Sequence, residues 1–481
     1  MADWTLKNIY FLSLMSLGYI VGEIAHFLIN TSTRAVAQDI HYGDQACFRN
    51  LTVNVSENSN VTSCKDLDQQ EDCVQHDHCS WDYNGLGLQY QILAGPSFIA
   101  VFTICCVIIG ITSDNFVKVG RNRIMAVGVL VFSLSCFLMG FSNSYWQLVL
   151  LRMGIAAGES VCRPVSGSLI TDIFSKGARG LANGILSWGV YYGYGLAFVI
   201  GIYVTQADIL SYGWRASYVL SALPGFVLSI LLFLTVSDPK KDEDNDSLEA
   251  LNTASSPETL ATPDEEEKSF LAYLKILARS LCSPTIVLLL IGACFRHTAG
   301  YCWAYNTRPY FQTYYPNFNL GLWIFACSVG GGSFGVFFGG YFSDKIVSNH
   351  SLALLRPHAM GLGRIYRLFS SLCHGTLYFK PPFAFISLIL YYFCAETWFA
   401  ILFTVIIEVC PTEVKSAMIG VFLFIMNNIG GNLPVIVDPL AKSMGYREAI
   451  YFVWPGCVGI SSVMFFVASI PLWRQARLSQ L

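Results

Sequence analysis

Twelve times the chain runs through 20 or more predominantly apolar residues, over 6–29, 92–113, 122–141, 146–171, 181–204, 212–236, 284–305, 318–342, 359–379, 383–408, 416–437 and 449–473. A helix rises about 1.5 Å per residue, so each run is long enough to cross a hydrocarbon core of about 30 Å. The fold class this predicts is an all-α membrane protein with twelve transmembrane helices. Composition agrees: 54% of residues are hydrophobic and 13% charged, where a soluble chain carries about 25% charged. A net charge of −3 offers no basic surface for nucleic acid. Leu6 to Ile29 is too long for the apolar part of a signal peptide and lacks a small-residue cleavage site, so it reads as the first span.

Twelve spans put both ends of the chain on one side. Lys118, Arg121, Arg123, Lys176, Arg179, Lys345, Arg356, Lys415, Arg474 and Arg477 all fall in loops or tails on that side, which makes it cytosolic. Residues 30–90 then lie outside the cell or in a lumen. They hold Cys47, Cys64, Cys73 and Cys79, expected to form two disulfides in one of three pairings, and N-glycosylation sequons at Asn50, Asn54 and Asn60. A zinc site made there with His76 and His78 fits no zinc-ligand spacing. The acidic, Ser/Thr/Pro-containing stretch 237–280 reads as a disordered cytosolic linker. It separates an N-terminal six-helix bundle, 1–236, from a C-terminal one, 281–481. The halves repeat each other: Asp172, Arg179, Gly184 and Gly195 recur as Glu408, Lys415, Gly420 and Gly431, 236 positions later each time. Two pseudo-symmetric bundles are therefore expected. The ninth run is the least apolar, with Arg364, Arg367 and His374; its arginines can snorkel to the cytosolic end.

The fourth span is the unusual one. It carries Arg152, Glu159 and Arg163, and at 3.6 residues per turn the three return to within about 20° of one helix face. Charges cost several kcal/mol against lipid, so this stripe should face other helices or water, with Glu159 partly neutralised by the arginines.

Two stretches carry a resemblance. Gly110-Ile-Thr-Ser-Asp114, followed by Gly120-Arg121-Asn-Arg123, resembles the cytosolic loop between the second and third spans of major facilitator transporters. There glycine lets helices approach while the aspartate pairs with basic residues and a helix end. The resemblance assigns Gly110, Asp114 and Arg121 to a cytosolic gate, with Gly340 and Asp344 as the second copy. This chain departs from the pattern in having Asn115 where arginine is usual and three extra residues before Gly120. Within that superfamily, Leu151-Arg-Met-Gly-Ile-Ala-Ala-Gly-Glu159-Ser, Pro164, Ile170-Thr-Asp172-Ile-Phe174 and Arg179-Gly-Leu-Ala resemble the spinster-like transporters. That likeness implies alternating access and an amphipathic substrate such as a lysophospholipid or sphingoid-base phosphate, in some members with protons. The Asp-Arg pair those proteins carry in the first span is absent, and Glu23 with His26 stands in its place.

Intramembrane ionisable residues are functional candidates by default. Glu23, Arg152 and Glu159 are expected to handle protons, Glu159 loading one when Arg152 moves away. Arg163, Arg296 and His297 suit an anionic headgroup, with Glu396 in the tenth span and the aromatics Trp188 and Tyr192 of the fifth lining the path. The bland alternatives are a buried ion pair that locks helices together, and aromatics that simply pack. Glycines at 331, 335 and 339, and at 189 and 193, mark faces where helices pack closely. The chain contains no P-loop, no HExxH and no nucleophile constellation, so neither an enzyme, a cofactor nor a metal is expected. The expected partners are membrane lipid, a small or lipid-like anion and protons. The expected form is a monomer in the plasma membrane or a late endosomal or lysosomal membrane. Two rivals stand beside this reading: a carrier of a small hydrophilic organic anion, and a transport-inactive receptor or chaperone acting through the cysteine-containing loop.

Overall fold

A computed structural model describes residues 4–49, 64, 69–112, 120–174, 179–236, 273–316, 318–338, 363–398, 402, 405–406, 409–411 and 414–478. Among these residues, nine helices are long and apolar enough to cross a membrane. The other three expected spans are described as shorter pieces. The fourth is split at Ser160 and Val161 into Tyr145–Glu159 and Cys162–Ile173. The ninth is the helix Gly363–Tyr378, and the tenth is described as a helix over Phe383–Ala395.

In the N-terminal half, Leu6–Phe27 packs on Arg179–Ala207 and Trp214–Thr235, and Arg121–Met139 packs on Tyr145–Glu159 and Trp214–Thr235. In the other half, Pro284–Tyr314 lies along Tyr446–Leu478 and crosses Lys415–Asn432. Two pairs of spans join the halves: Pro96–Thr112 with Lys415–Asn432, and Arg179–Ala207 with Gly321–Ala326 and the π-helical turn Cys327–Ser333. Small residues set these distances. A Cβ on Gly331 or Gly335 would fall 2.7 Å from the Ile389 carbonyl oxygen or 2.5 Å from that of Phe393, so only glycine lets the eighth span reach the tenth.

Three boundaries differ from the sequence reading. The seventh span continues through Pro309 to Tyr314, and the twelfth runs from Tyr446 to Leu478. The linker does not extend to 280, because residues 273–281 are helical and Leu277 and Leu281 pack on the core around Leu289 and Phe422. Residues 237–272 lie outside the described ones.

The loop after the first span is a small disulfide-held unit. Strands Gln45–Arg49 and Cys79–Tyr83 pair antiparallel, and Cys47 is bonded to Cys73 and Cys64 to Cys79. The sequons at Asn50, Asn54 and Asn60 lie outside the described residues. The halves are hydrogen-bonded to each other at this end of the bundle. Gln91 donates to Asn306 at 2.9 Å, Tyr90 donates to the Tyr305 carbonyl, and Lys442 pairs with Asp44 at 3.4 Å; within the C-terminal half, Tyr446 donates to the same Asn306 oxygen.

Candidate functional site

The break in the fourth span places Glu159 at the last turn of one helix and Arg163 at the start of the next. Glu159 is 1% exposed and lies against the first span at Gly22, where an added Cβ would meet its Cγ at 3.0 Å and its Cδ at 3.3 Å. One residue further on, Glu23 is equally enclosed, because Gly193 of the fifth span has no side chain to displace it: a Cβ there would sit 2.4 Å from that of Glu23. His26 follows one turn later, with its Nδ1 3.5 Å from Glu23 Oε2 and its ring stacked on Phe98. Two carboxylates and an imidazole from two spans thus share one buried pocket of side chains.

Arg152 forms no direct ion pair with either carboxylate among the described residues, so the partial neutralisation of Glu159 expected from the sequence acts across space and not through contact. The Leu88–Ala94 helix stops at Gly95 and Pro96, and the first span ends at Phe27. Both ends present carbonyls that no further helical N–H reaches in full. Arg152, fully buried, is drawn to them: Nε donates to Leu93 O at 3.2 Å, one terminal nitrogen to Ala94 O at 3.1 Å, and the other to Ala25 O at 3.4 Å and to His26 O. A cation at two helix C-termini also meets their partial negative charge. Its plane packs 4.8 Å from the Phe98 ring centre.

Arg163 donates through Nε to the Tyr19 hydroxyl at 3.0 Å. Tyr19 lies one turn before Glu23 on the same helix and was missed; an i, i+4 search for polar aromatics beside Glu23 finds it. In the other half Arg296, also buried, donates to the Ala395 carbonyl at 2.6 Å and the Tyr391 hydroxyl at 3.4 Å, and Trp454 donates to the same hydroxyl. Glu396 accepts a hydrogen bond from Tyr191 at 3.1 Å, which ties the fifth span to the tenth across the two halves. His297 faces Tyr301 edge-on at 4.7 Å, and Tyr301 in turn lies 6.4 Å from the His26 ring. Tyr301 therefore stands between His26 of the first bundle and His297 of the second. Tyr192 is half-buried and meets Phe325 edge-on at 6.4 Å, and Trp188 is 39% exposed.

At the opposite end, Gly120 takes φ +89°, a conformation open to glycine, and starts the third span at Arg121. The Arg121 guanidinium is buried and reaches both Asp172 and Ser168 at 2.7 Å. Asp172 is 51 residues away in the chain, a pairing that the local motif does not encode. Gly110 lies in the helix Pro96–Thr112, while Asp114, Gly340 and Asp344 lie outside the described residues.

The sequence and fold were compared with known proteins. The Drosophila melanogaster protein spinster is 25% identical over 155 residues, 32% of this chain and 24% of that protein. The sphingosine-1-phosphate transporter SPNS2 of Danio rerio is 27% identical over 166 residues, 32% of each chain. The match thus spans about a third or less of these curated relatives. The fold is similar over 98% of both chains to a bacterial homolog of the human lysosomal transporter spinster in an inward-facing, unoccupied conformation, with TM-score 0.67 and 18% identity. The inward-open xylose transporter XylE of E. coli gives TM-score 0.58 at 12% identity. The profile of the Major Facilitator Superfamily matches residues 15–433, and the chain belongs to that superfamily.

Proposed function

We propose that the protein is a secondary transporter that moves an amphipathic organic anion, lysophospholipid- or sphingolipid-like, by alternating access coupled to protons. The observation that carries this reading is the buried meeting of Glu23 with Glu159 in one half, beside two polar links to the other half, Tyr191 to Glu396 and His26 past Tyr301 to His297. Two carboxylates this close in a low-dielectric core do not both stay ionised without a counter-charge, so protons enter and leave with the conformational cycle. Arg163 and Arg296 supply positive charge for a phosphate or carboxylate headgroup, and Trp188 and Tyr192 supply an apolar wall. Arg152 serves the cycle indirectly, by fixing the helix ends that carry His26 and Leu93. The names of the spinster relatives support a lipid-like substrate. The protein works as a monomer in the plasma membrane or a late endosomal or lysosomal membrane.

The test is uptake of sphingosine-1-phosphate and lysophosphatidylcholine into proteoliposomes between pH 5.5 and 8. Glu159→Gln keeps the shape of the side chain but not its proton chemistry, and should flatten the pH dependence. Arg296→Ala should raise the apparent KM for an anionic substrate. A pH profile identical to wild type in Glu159→Gln removes the coupling role, and no uptake of either lipid removes the substrate class.

A further inference from the structure

The Glu23, His26 and Glu159 cluster has a second property. One oxygen from each carboxylate and one ring nitrogen of His26 all lie within 4.8 Å of one another, and all three residues are at least nine-tenths buried. Glu159 Oε2 has no hydrogen-bond partner among the described residues. The neighbouring groups do not fill that need. The hydrogen bonds of Arg152 go to main-chain carbonyls, Arg163 Nε goes to Tyr19, and the ring of Tyr301 stands 6.4 Å from that of His26.

We propose that Glu23, His26 and Glu159 form a buried site for one divalent transition-metal ion of the zinc class. Two carboxylates bring two negative charges, which one divalent ion neutralises by direct contact, while Arg152 donates to main-chain carbonyls and Arg163 to Tyr19. Imidazole nitrogen with carboxylate oxygen is a donor set that zinc and its neighbours accept and that sodium, calcium and magnesium do not prefer. The spacing is near what such an ion imposes. At about 2.1 Å from each donor, a tetrahedral ion holds its ligands about 3.4 Å apart. His26 Nδ1 and Glu23 Oε2 are already at 3.5 Å. Glu159, at the last turn before the break in its span, moves by a side-chain rotation to complete the set. A water or a substrate group takes the fourth position. This inference rests on the same carboxylates as the proton-coupling reading, since ion and protons exclude each other there.

The experiment uses the purified full-length protein in lipid nanodiscs, with His76 and His78 replaced by alanine to silence the loop. Cobalt(II) is titrated as the probe, its visible absorption reporting tetrahedral binding, and zinc(II) is used to displace it. One saturable cobalt per chain, displaced by zinc, is expected. His26→Gln, which keeps both carboxylates, should weaken it at least tenfold, and Glu23→Gln with Glu159→Gln should abolish it. Absence of saturable binding in the parent protein overturns the proposal without any variant, and so does unchanged affinity in a folded His26→Gln. Uptake measured on the same preparations separates the two readings. Cobalt binding with pH-independent uptake removes the proton coupling and leaves the metal site. No cobalt binding with uptake still pH-dependent does the reverse.

Discussion

Replacing Arg152 tests whether it is a counter-ion or a clamp. The sequence suggests the first, because Glu159 sits two turns away on the same face. The structure supports the second: four carbonyls from two interrupted helices converge on one guanidinium that is wholly buried. A hydrogen bond from a charged donor contributes about 1.5–3 kcal/mol net. Four of them would exceed what any single residue is measured to give, because removing the guanidinium from water costs several kcal/mol and Leu93 O also accepts the Ser97 hydroxyl at 2.9 Å. The loss expected for Arg152→Ala is therefore about 3–5 kcal/mol. Arg152→Lys should recover no more than about half of that, since one ammonium cannot span the ends of both helices. Glu159→Gln, which removes no partner of Arg152, should cost about 1 kcal/mol or less.

The assay is reversible unfolding in mixed micelles for both single variants and the double variant. On the clamp reading the two losses add to within about 0.5 kcal/mol. On the counter-ion reading the charges are removed together, and the double variant becomes more stable than Arg152→Ala alone. A recovery of about 1.5 kcal/mol or more, the scale of coupling between groups that truly interact, would refute the clamp.

Two further outcomes follow from the packing. Gly158→Ala places a Cβ 2.5 Å from the Phe132 nitrogen and 2.6 Å from the Gly128 carbonyl oxygen; both are main chain, so the third and fourth spans must separate, at a cost of about 1–3 kcal/mol. Wild-type unfolding in that variant would show that the crossing is looser than drawn. Lys442→Ala removes the ion pair to Asp44, but both groups are largely exposed, so it should shift the closure of the loop-bearing end by no more than about fivefold, the equivalent of 1 kcal/mol. Spin-label distances across that end measure the populations, and a shift above tenfold would mean that the pair is a principal latch.

The spans were legible because each answers to one local quantity, apolar length. The close-packing glycines were legible too, since small residues at a spacing of four mark a face whatever lies opposite. What the sequence hid is set by partners distant in the chain. Arg121 reaches Asp172 and Ser168 on another helix, 51 and 47 residues away in the chain, while Asp114 lies outside the described residues. Gly120 explains how: its positive φ starts a new helix and fixes the direction of the next side chain, which no spacing rule encodes. The charged stripe of the fourth span shows the same limit. Its geometry holds for an unbroken helix, but the break at Ser160 turns Arg163 toward Tyr19, and the breaks in two neighbouring helices offer Arg152 better acceptors than Glu159.

That last competition bears directly on how the site works. An arginine paired with Glu159 would hold that carboxylate ionised, and the carrier would have to break an ion pair in each cycle. With Arg152 bound to main-chain carbonyls instead, the helix ends are held at a fixed cost and Glu159 is left with a buried oxygen that lacks a hydrogen-bond partner. A buried polar atom of that kind is destabilising until something binds it. On the proposed function the occupant is a proton, and on the further inference a metal ion in its place. Either reading requires that loading and unloading change the stability of the contact between the first and fourth spans, the contact a rocking bundle would adjust.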